Sequence, residues 1–226
     1  IIFLTNQNHV GPVNVVLQNP VPVQLKNGDQ FQVSFENQKI ILSNINFQME
    51  LMIKRVWKTP PKPLGTISEL DQTQRLTMAA NQLSILKSNQ GFAPLLLPIL
   101  KNINPTNMER KWLENCFNLI TDLKMALLHP DSHQTLQISK QLVGSGRGLT
   151  PSGDDLLMGL LFMWHRWFSH HTWIEDIGTE LLIEFHANTT AVSSTLFQCA
   201  LHGEVDARIQ EMSDVLMNSQ ITFDQQ

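Results

Sequence analysis

Cysteine is scarce in this chain: Cys116 and Cys199 are the two thiols in 226 residues. They form no CxxC pair, which excludes a disulfide framework and a thiolate metal site and points to a cytoplasmic home. Charge is scarce too, at 16% of residues with a formal net charge of −4. No basic stripe or run is present, so nucleic acid and anionic membrane surfaces are excluded as general partners. The longest apolar run, Leu156 to Trp164, is broken by His165 and Arg166, well short of the ~20 residues that a membrane helix needs. The start, Ile1 without a methionine or a basic leader, shows no recognisable signal peptide. Internal repeats and low-complexity tracts are absent.

Several catalytic signatures are missing as well. His165, His170 and His171 cluster near the end of the apolar run, but there is no HExxH and no His/Asp pair at ligand spacing. Ser152 lies in Pro-Ser-Gly rather than in a nucleophile elbow. A dinucleotide fingerprint starting at Gly144 would need glycine at position 149 and meets Leu149. A Walker pattern starting at Gly148 reaches Gly153 and then meets Asp154 where lysine is required. A nucleotide-binding fold is not read from the glycine content.

What is present is enough apolar material, 42% of residues, to bury a full core as one large or two small domains. The first sixty residues are β-like. Pro12 to Gln18, Gln30 to Phe35 and Lys39 to Ser43 are short Val-, Ile- and Phe-rich runs between turn signals, and Ile45, Phe47, Met49, Leu51 and Ile53 alternate with mostly polar residues. Thr59-Pro60-Pro61-Lys62-Pro63 ends this region as a linker or rigid corner. Beyond Gly65 the pattern is helical. Helices are predicted from Ser68 towards Gln90, over Pro105 to Leu128, over Ser132 to Leu142, through the apolar run after Asp155, from about Ile174 to Leu201 and from Glu204 to Met217. The expected fold class is α+β: a small β-rich domain over residues 1–63, then a mainly helical domain over 64–226 with a buried central helix.

The segment with the densest chemistry is Gly144-Ser145-Gly146-Arg147-Gly148-Leu149-Thr150-Pro151-Ser152-Gly153-Asp154-Asp155. Its glycines remove Cβ atoms where a backbone can close on a ligand, and a helix then opens whose amide-rich N-terminus favours anions. Ser152 with Asp155 approximates a capping box, and Thr150 before Pro151 is an equally good cap. Capping accounts for the two aspartates but not for glycines at alternate positions with Arg147 among them. Asp154 and Asp155 cannot enter an apolar core without partners, so the helix start is expected at a cleft or surface. A second polar set, His186, Thr189, Thr190, Ser193 and Ser194, lies among apolar residues. On one continuous helix, His186, Thr190 and Ser193 share a stripe. Such hydroxyls either bond their own i−4 carbonyls or wall the glycine loop as neutral donors to a carboxylate or phosphate.

Gly144-x-Gly146-x-Gly148-Leu149-Thr150-Pro151-x-Gly153-Asp154-Asp155, with Gly159 following and Thr189-Thr190-x-x-Ser193 running on to Ala200-x-x-Gly203-Glu204, resembles a bacterial family that includes the AllH-type subunit of oxamate carbamoyltransferase, from allantoin degradation. The resemblance covers roughly residues 10 to 210. It implies an enzyme subunit working with other subunits to move a carbamoyl group between phosphate and oxamate. Arg147 suits a dianion such as carbamoyl phosphate or a carboxylate such as oxamate. Asp154 or Asp155 would orient the nucleophilic nitrogen, accept its proton, or hold Mg²⁺; no cofactor is required by the resemblance, and Mg²⁺ is the one it leaves open. Gly144, Gly146, Gly148, Thr150, Ser152, Gly153, Thr189, Thr190 and Ser193 are the expected substrate-binding set. Two other classes stay open: a non-catalytic assembly subunit, and a Mg²⁺-dependent phosphotransferase.

Overall fold

The computed structural model describes residues 3–5, 10–17, 29–45, 47–54, 56–63, 65, 67–85, 90–104, 111–129, 131–168 and 173–218. Contacts divide the chain into a unit of residues 2–58 and a unit of residues 59–226. The architecture is α+β, with strands in the N-terminal part and helices after them.

In the first unit β1 (Phe3–Thr5) pairs in parallel with β2 (Asn14–Val16). A three-stranded antiparallel meander follows: β3 (Gln32–Glu36), β4 (Lys39–Asn44) and β5 (Phe47–Met52). Asn37 and Gln38 between β3 and β4 both take positive φ, 46° and 63°. That is the backbone of a two-residue primed turn, whose twist matches the strands it joins. The register places Phe35 against Ile40, Val33 against Leu42, Ile40 against Leu51 and Leu42 against Met49. One face is therefore apolar, while the other carries the Lys39–Glu50 ion pair at 2.7 Å. Period-two alternation decides which face is which.

The second unit holds α1 (Glu69–Ile85), α2 (Ala93–Lys101), α3 (Lys111–Leu128), α4 (Ser132–Leu142), α5 (Ser152–Trp167), α6 (Trp173–Asn188), α7 (Ala191–Leu201) and α8 (Ala207–Met217). Helix starts fall where side-chain acceptors stand. The Asp71 amide donates to Ser68 Oγ at 3.2 Å, and the Gln134 amide donates to Asp131 Oδ1 at 2.9 Å. Leu95, Leu142, Leu157, Phe185 and Phe197 are at the centre of the core, and the rings of Phe185 and Phe197 stack with centroids 3.8 Å apart. α5 packs on α4, α6 and α7. Every residue of α5 except Asp155 is buried or half-buried, as its nearly all-round apolar sequence requires. A Cβ on Gly178 of α6 would stand 2.3 Å from Leu201 Cδ2 and 3.3 Å from Leu161 Cδ2, so that glycine sets how closely the central helices meet.

Three features depart from the sequence reading. The helix expected over residues 174–201 is two helices, broken at Thr189-Thr190, because Thr190 turns to extended backbone (φ −76°, ψ 153°) and caps α7 with its own side chain. α2 was not expected: Pro94 in its first turn suits a helix start, and Pro98 sits inside it. Pro151 is the N-cap of α5 and no side chain caps that helix, so neither the Ser152–Asp155 box nor a Thr150 cap forms. The helix expected over residues 105–128 is described from Lys111 onward, and His170 and His171 lie outside the described residues.

Within the second unit, the proline corner is pinned by an arginine that its local sequence does not single out. Buried Arg166 of α5 forks onto Asp214 of α8, Nε to Oδ1 at 2.6 Å and Nη2 to Oδ2 at 2.8 Å. Its Nη1 also donates to the Pro60 carbonyl at 2.9 Å. Trp167 Nε1 adds a buried bond to Ser213 Oγ at 2.8 Å.

Candidate functional site

Two consecutive aspartates start α5, and the helix sends them in different directions, since neighbouring positions point about 100° apart. Asp154 turns inward and is 0% exposed. Its Oδ1 accepts from the Gly144 amide at 2.7 Å, and its Oδ2 accepts from the hydroxyls of Thr189 and Ser193, the latter at 2.6 Å. A buried carboxylate is tolerable only when it is hydrogen-bonded in this way. Asp155 turns outward and opens onto a cavity of about 1200 Å³. Desolvation by the cavity walls pushes its carboxyl up from 3.8 to about 6; the charge of Asp154 adds to this, and a hydrogen bond with the Thr150 side chain opposes it.

The cavity has two kinds of wall. Its polar side is Gln90, Arg147, Thr150, Ser152 and Asp155; its apolar side is Leu83, Phe92, Leu96, Trp112, Leu156 and Met212. Phe92 and Trp112 lie ring to ring at 6.0 Å. Arg147 is exposed at this cavity and, among the described residues, makes no hydrogen bond and no ion pair. A guanidinium and a carboxyl raised to about 6, lining one cavity, suit an anion that exchanges a proton.

The glycines do two jobs. A Cβ on Gly153 would stand 1.9 Å from the Leu142 carbonyl oxygen, and one on Gly146 would stand 2.7 Å from the Ser152 amide nitrogen. These glycines let the loop close on the protein's own backbone. Gly148 has φ +104° and open space around it, so its need for glycine is conformational. The loop ends are tied by Ser145 N–H to Leu142 O at 3.0 Å and by Gly153 N–H to Ser145 O at 2.8 Å.

Of the residues singled out in the sequence, Arg147, Thr150, Ser152 and Asp155 meet at the cavity. Gly144, Asp154, Thr189 and Ser193 meet beneath it, in the clasp around the Asp154 carboxylate. Thr190 joins neither group: its hydroxyl donates to the Leu149 carbonyl and accepts from the Ser193 amide at 3.0 Å. The stripe of His186, Thr190 and Ser193 does not form, because the α6–α7 break separates it; His186 Nδ1 instead stands 2.7 Å from the Leu182 carbonyl. Gln90, Phe92 and Trp112 were not legible from sequence, since no local pattern links residues from the start of α2 and from α3 to the glycine loop. Among the described residues no three His, Cys, Asp or Glu side chains are grouped to hold a metal, and no helix is long and apolar enough to cross a membrane.

No curated protein and no solved structure matches the chain. Residues 142–225, which include the glycine loop, the Asp154 clasp and α5 to α8, match the family model of oxamate carbamoyltransferase subunit AllH.

Proposed function

We propose that the chain is a subunit of an oxamate carbamoyltransferase-type enzyme, acting with other subunits, and that the cavity beside Arg147 and Asp155 takes its anionic substrate. The observation that carries this reading is the exposed Arg147 guanidinium, without a hydrogen bond or ion pair among the described residues, on the same cavity as Asp155, on the stretch that matches the subunit family. Carbamoyl phosphate and oxamate are both anions with planar oxygen pairs, and a guanidinium fork binds either bidentately. In the transfer, the amide nitrogen of oxamate forms a bond to the carbamoyl carbon, the bond from that carbon to the phosphate oxygen breaks, and phosphate leaves with the electron pair. The nitrogen gives up one proton, and Asp155 is the group placed to receive it, being basic enough near neutral pH and open to the cavity. In the reverse direction the protonated carboxyl returns that proton to the departing oxamate nitrogen. Loop amides between Gly146 and Gly148 supply donors for the oxyanion of the tetrahedral intermediate. Were Mg²⁺ to arrive with a phosphorylated substrate, Asp155 would hold it instead of accepting the proton.

The test is Arg147→Ala in the full chain. Phosphate and oxamate affinity should fall at least about tenfold, on the order of 1.4 kcal/mol, with the melting temperature unchanged, and turnover reconstituted with the partner subunits should fall in step. Unchanged affinity in the folded variant overturns the assignment.

A further inference from the structure

Asp154 has no surface through which to reach a ligand. Both of its oxygens are occupied by protein donors, and its exposure is 0%. Three separate pieces of chain meet on it: Gly144 at the end of α4, Thr189 between α6 and α7, and Ser193 in the first turn of α7. Arg147 is suspended between two points that depend on this junction. On one side the Gly144 amide is bonded to Asp154; on the other the Leu149 carbonyl accepts from Thr190, the residue next to Thr189. On the helix itself, Asp155 is the next residue. We infer that Asp154 is a positioning residue, a buried carboxylate that ties the glycine loop to the α6–α7 junction and thereby sets where Arg147 and Asp155 stand at the cavity.

The chemistry of the donors fits this role better than simple core filling. A carboxylate accepts only, so it fixes Thr189 and Ser193 as donors with their hydroxyl hydrogens turned inward. It also gives one amide and two hydroxyls a shared charged acceptor, and charge-assisted bonds are roughly twice as strong as neutral ones. An apolar residue at position 154 would leave those three donors without this partner, the fully buried Ser193 hydroxyl among them.

The inference rests on the reading of Arg147 and Asp155 proposed above, and inorganic phosphate is the probe that separates the two. Titration calorimetry on the full-length chain, well below each variant's melting temperature, should show Asp154→Asn weakening phosphate binding by about the same tenfold factor as Arg147→Ala. Combining the two changes should weaken it no further, because Asp154 acts through Arg147. Thr189→Val should weaken binding in the same way, and Thr189→Ser, which keeps the hydroxyl, should restore it. A purely structural role would lower the melting temperature of Asp154→Asn and leave phosphate affinity in place, and that result overturns the inference while the functional reading stands. If Arg147→Ala itself binds phosphate normally, both fall. Where Asp154→Asn does not fold, the pair Thr189→Val with Ser193→Ala removes two of the three bonds and carries the same expectation.

Discussion

Asp155 is less acidic than an ordinary aspartate because the cavity walls strip water from its charged form. Between pH 3.8 and about 6 the folded chain holds a proton that the unfolded chain has already released. The contribution of Asp155 to stability is therefore most favourable below pH 3.8, declines as pH rises towards about 6, and levels off above. Asp155→Asn should accordingly melt higher than the parent at pH 7.5, with the gap closing as pH falls below 4, while turnover is abolished. A melting series over that range checks both the sign and the window; a gap constant with pH would contradict a desolvated carboxyl. The glycines beside it make a second contrast. Gly153→Ala drives a methyl group to 1.9 Å from the Leu142 carbonyl oxygen, a backbone collision that should prevent folding. Gly148→Ala meets nothing within 4 Å and suffers only its φ of +104°, a strain of about 1–3 kcal/mol, read as a lower urea midpoint in a protein that still folds.

Among the elements, the α6–α7 break matters most to the site, and a single side chain makes it. Thr190→Ala removes the α7 cap, worth about 1 kcal/mol, together with the bond to the Leu149 carbonyl. Urea unfolding should show a loss larger than a cap alone; a loss within a few tenths of a kcal/mol of zero would mean that α7 starts without it. This break was not legible in the sequence, because Thr189 and Thr190 lie in an otherwise helical pattern where hydroxyls commonly bond their own helix. The partners that Thr189 and Thr190 find instead, the Asp154 carboxylate and the Leu149 carbonyl, are distant in sequence. By contrast α4 was legible to the residue, Ser132 to Leu142, because Asp131 supplies a strong cap before a clear apolar period. α2 was hidden by its two prolines. In the site, Arg147 and Asp155 stood out because composition alone marks a charged loop of glycines before an apolar helix. Phe92 and Trp112 did not, since only the folded chain brings them there.

On the scale of the helical unit, the Arg166–Asp214 fork holds together pieces far apart in sequence: the proline corner, the end of α5 and α8. With the arginine side chain 4% exposed and the aspartate 14%, the pair is nearly buried, and removing one partner leaves the other charge without its counterion. Arg166→Met should cost about 3–5 kcal/mol, and adding Asp214→Leu should return part of it, since the stranded charge goes too. Limited proteolysis with trypsin should then cut after Lys58, at the edge of the proline corner, in the single variant before it cuts the parent. Resistance at Lys58 in a destabilised Arg166→Met protein would show that the corner is held by other contacts. The β-meander takes its order from its own turn and alternation.

The bond from Gly144 to Asp154 closes a loop whose ends are ten positions apart, and that has a consequence in chain entropy. Bringing the ends of such a segment together costs about 2 kcal/mol by the logarithmic law for loop closure, and folding has already met this cost before any anion arrives. A ligand reaching Arg147 therefore meets a segment with little freedom left to lose, and more of the gross attraction of the guanidinium survives as affinity.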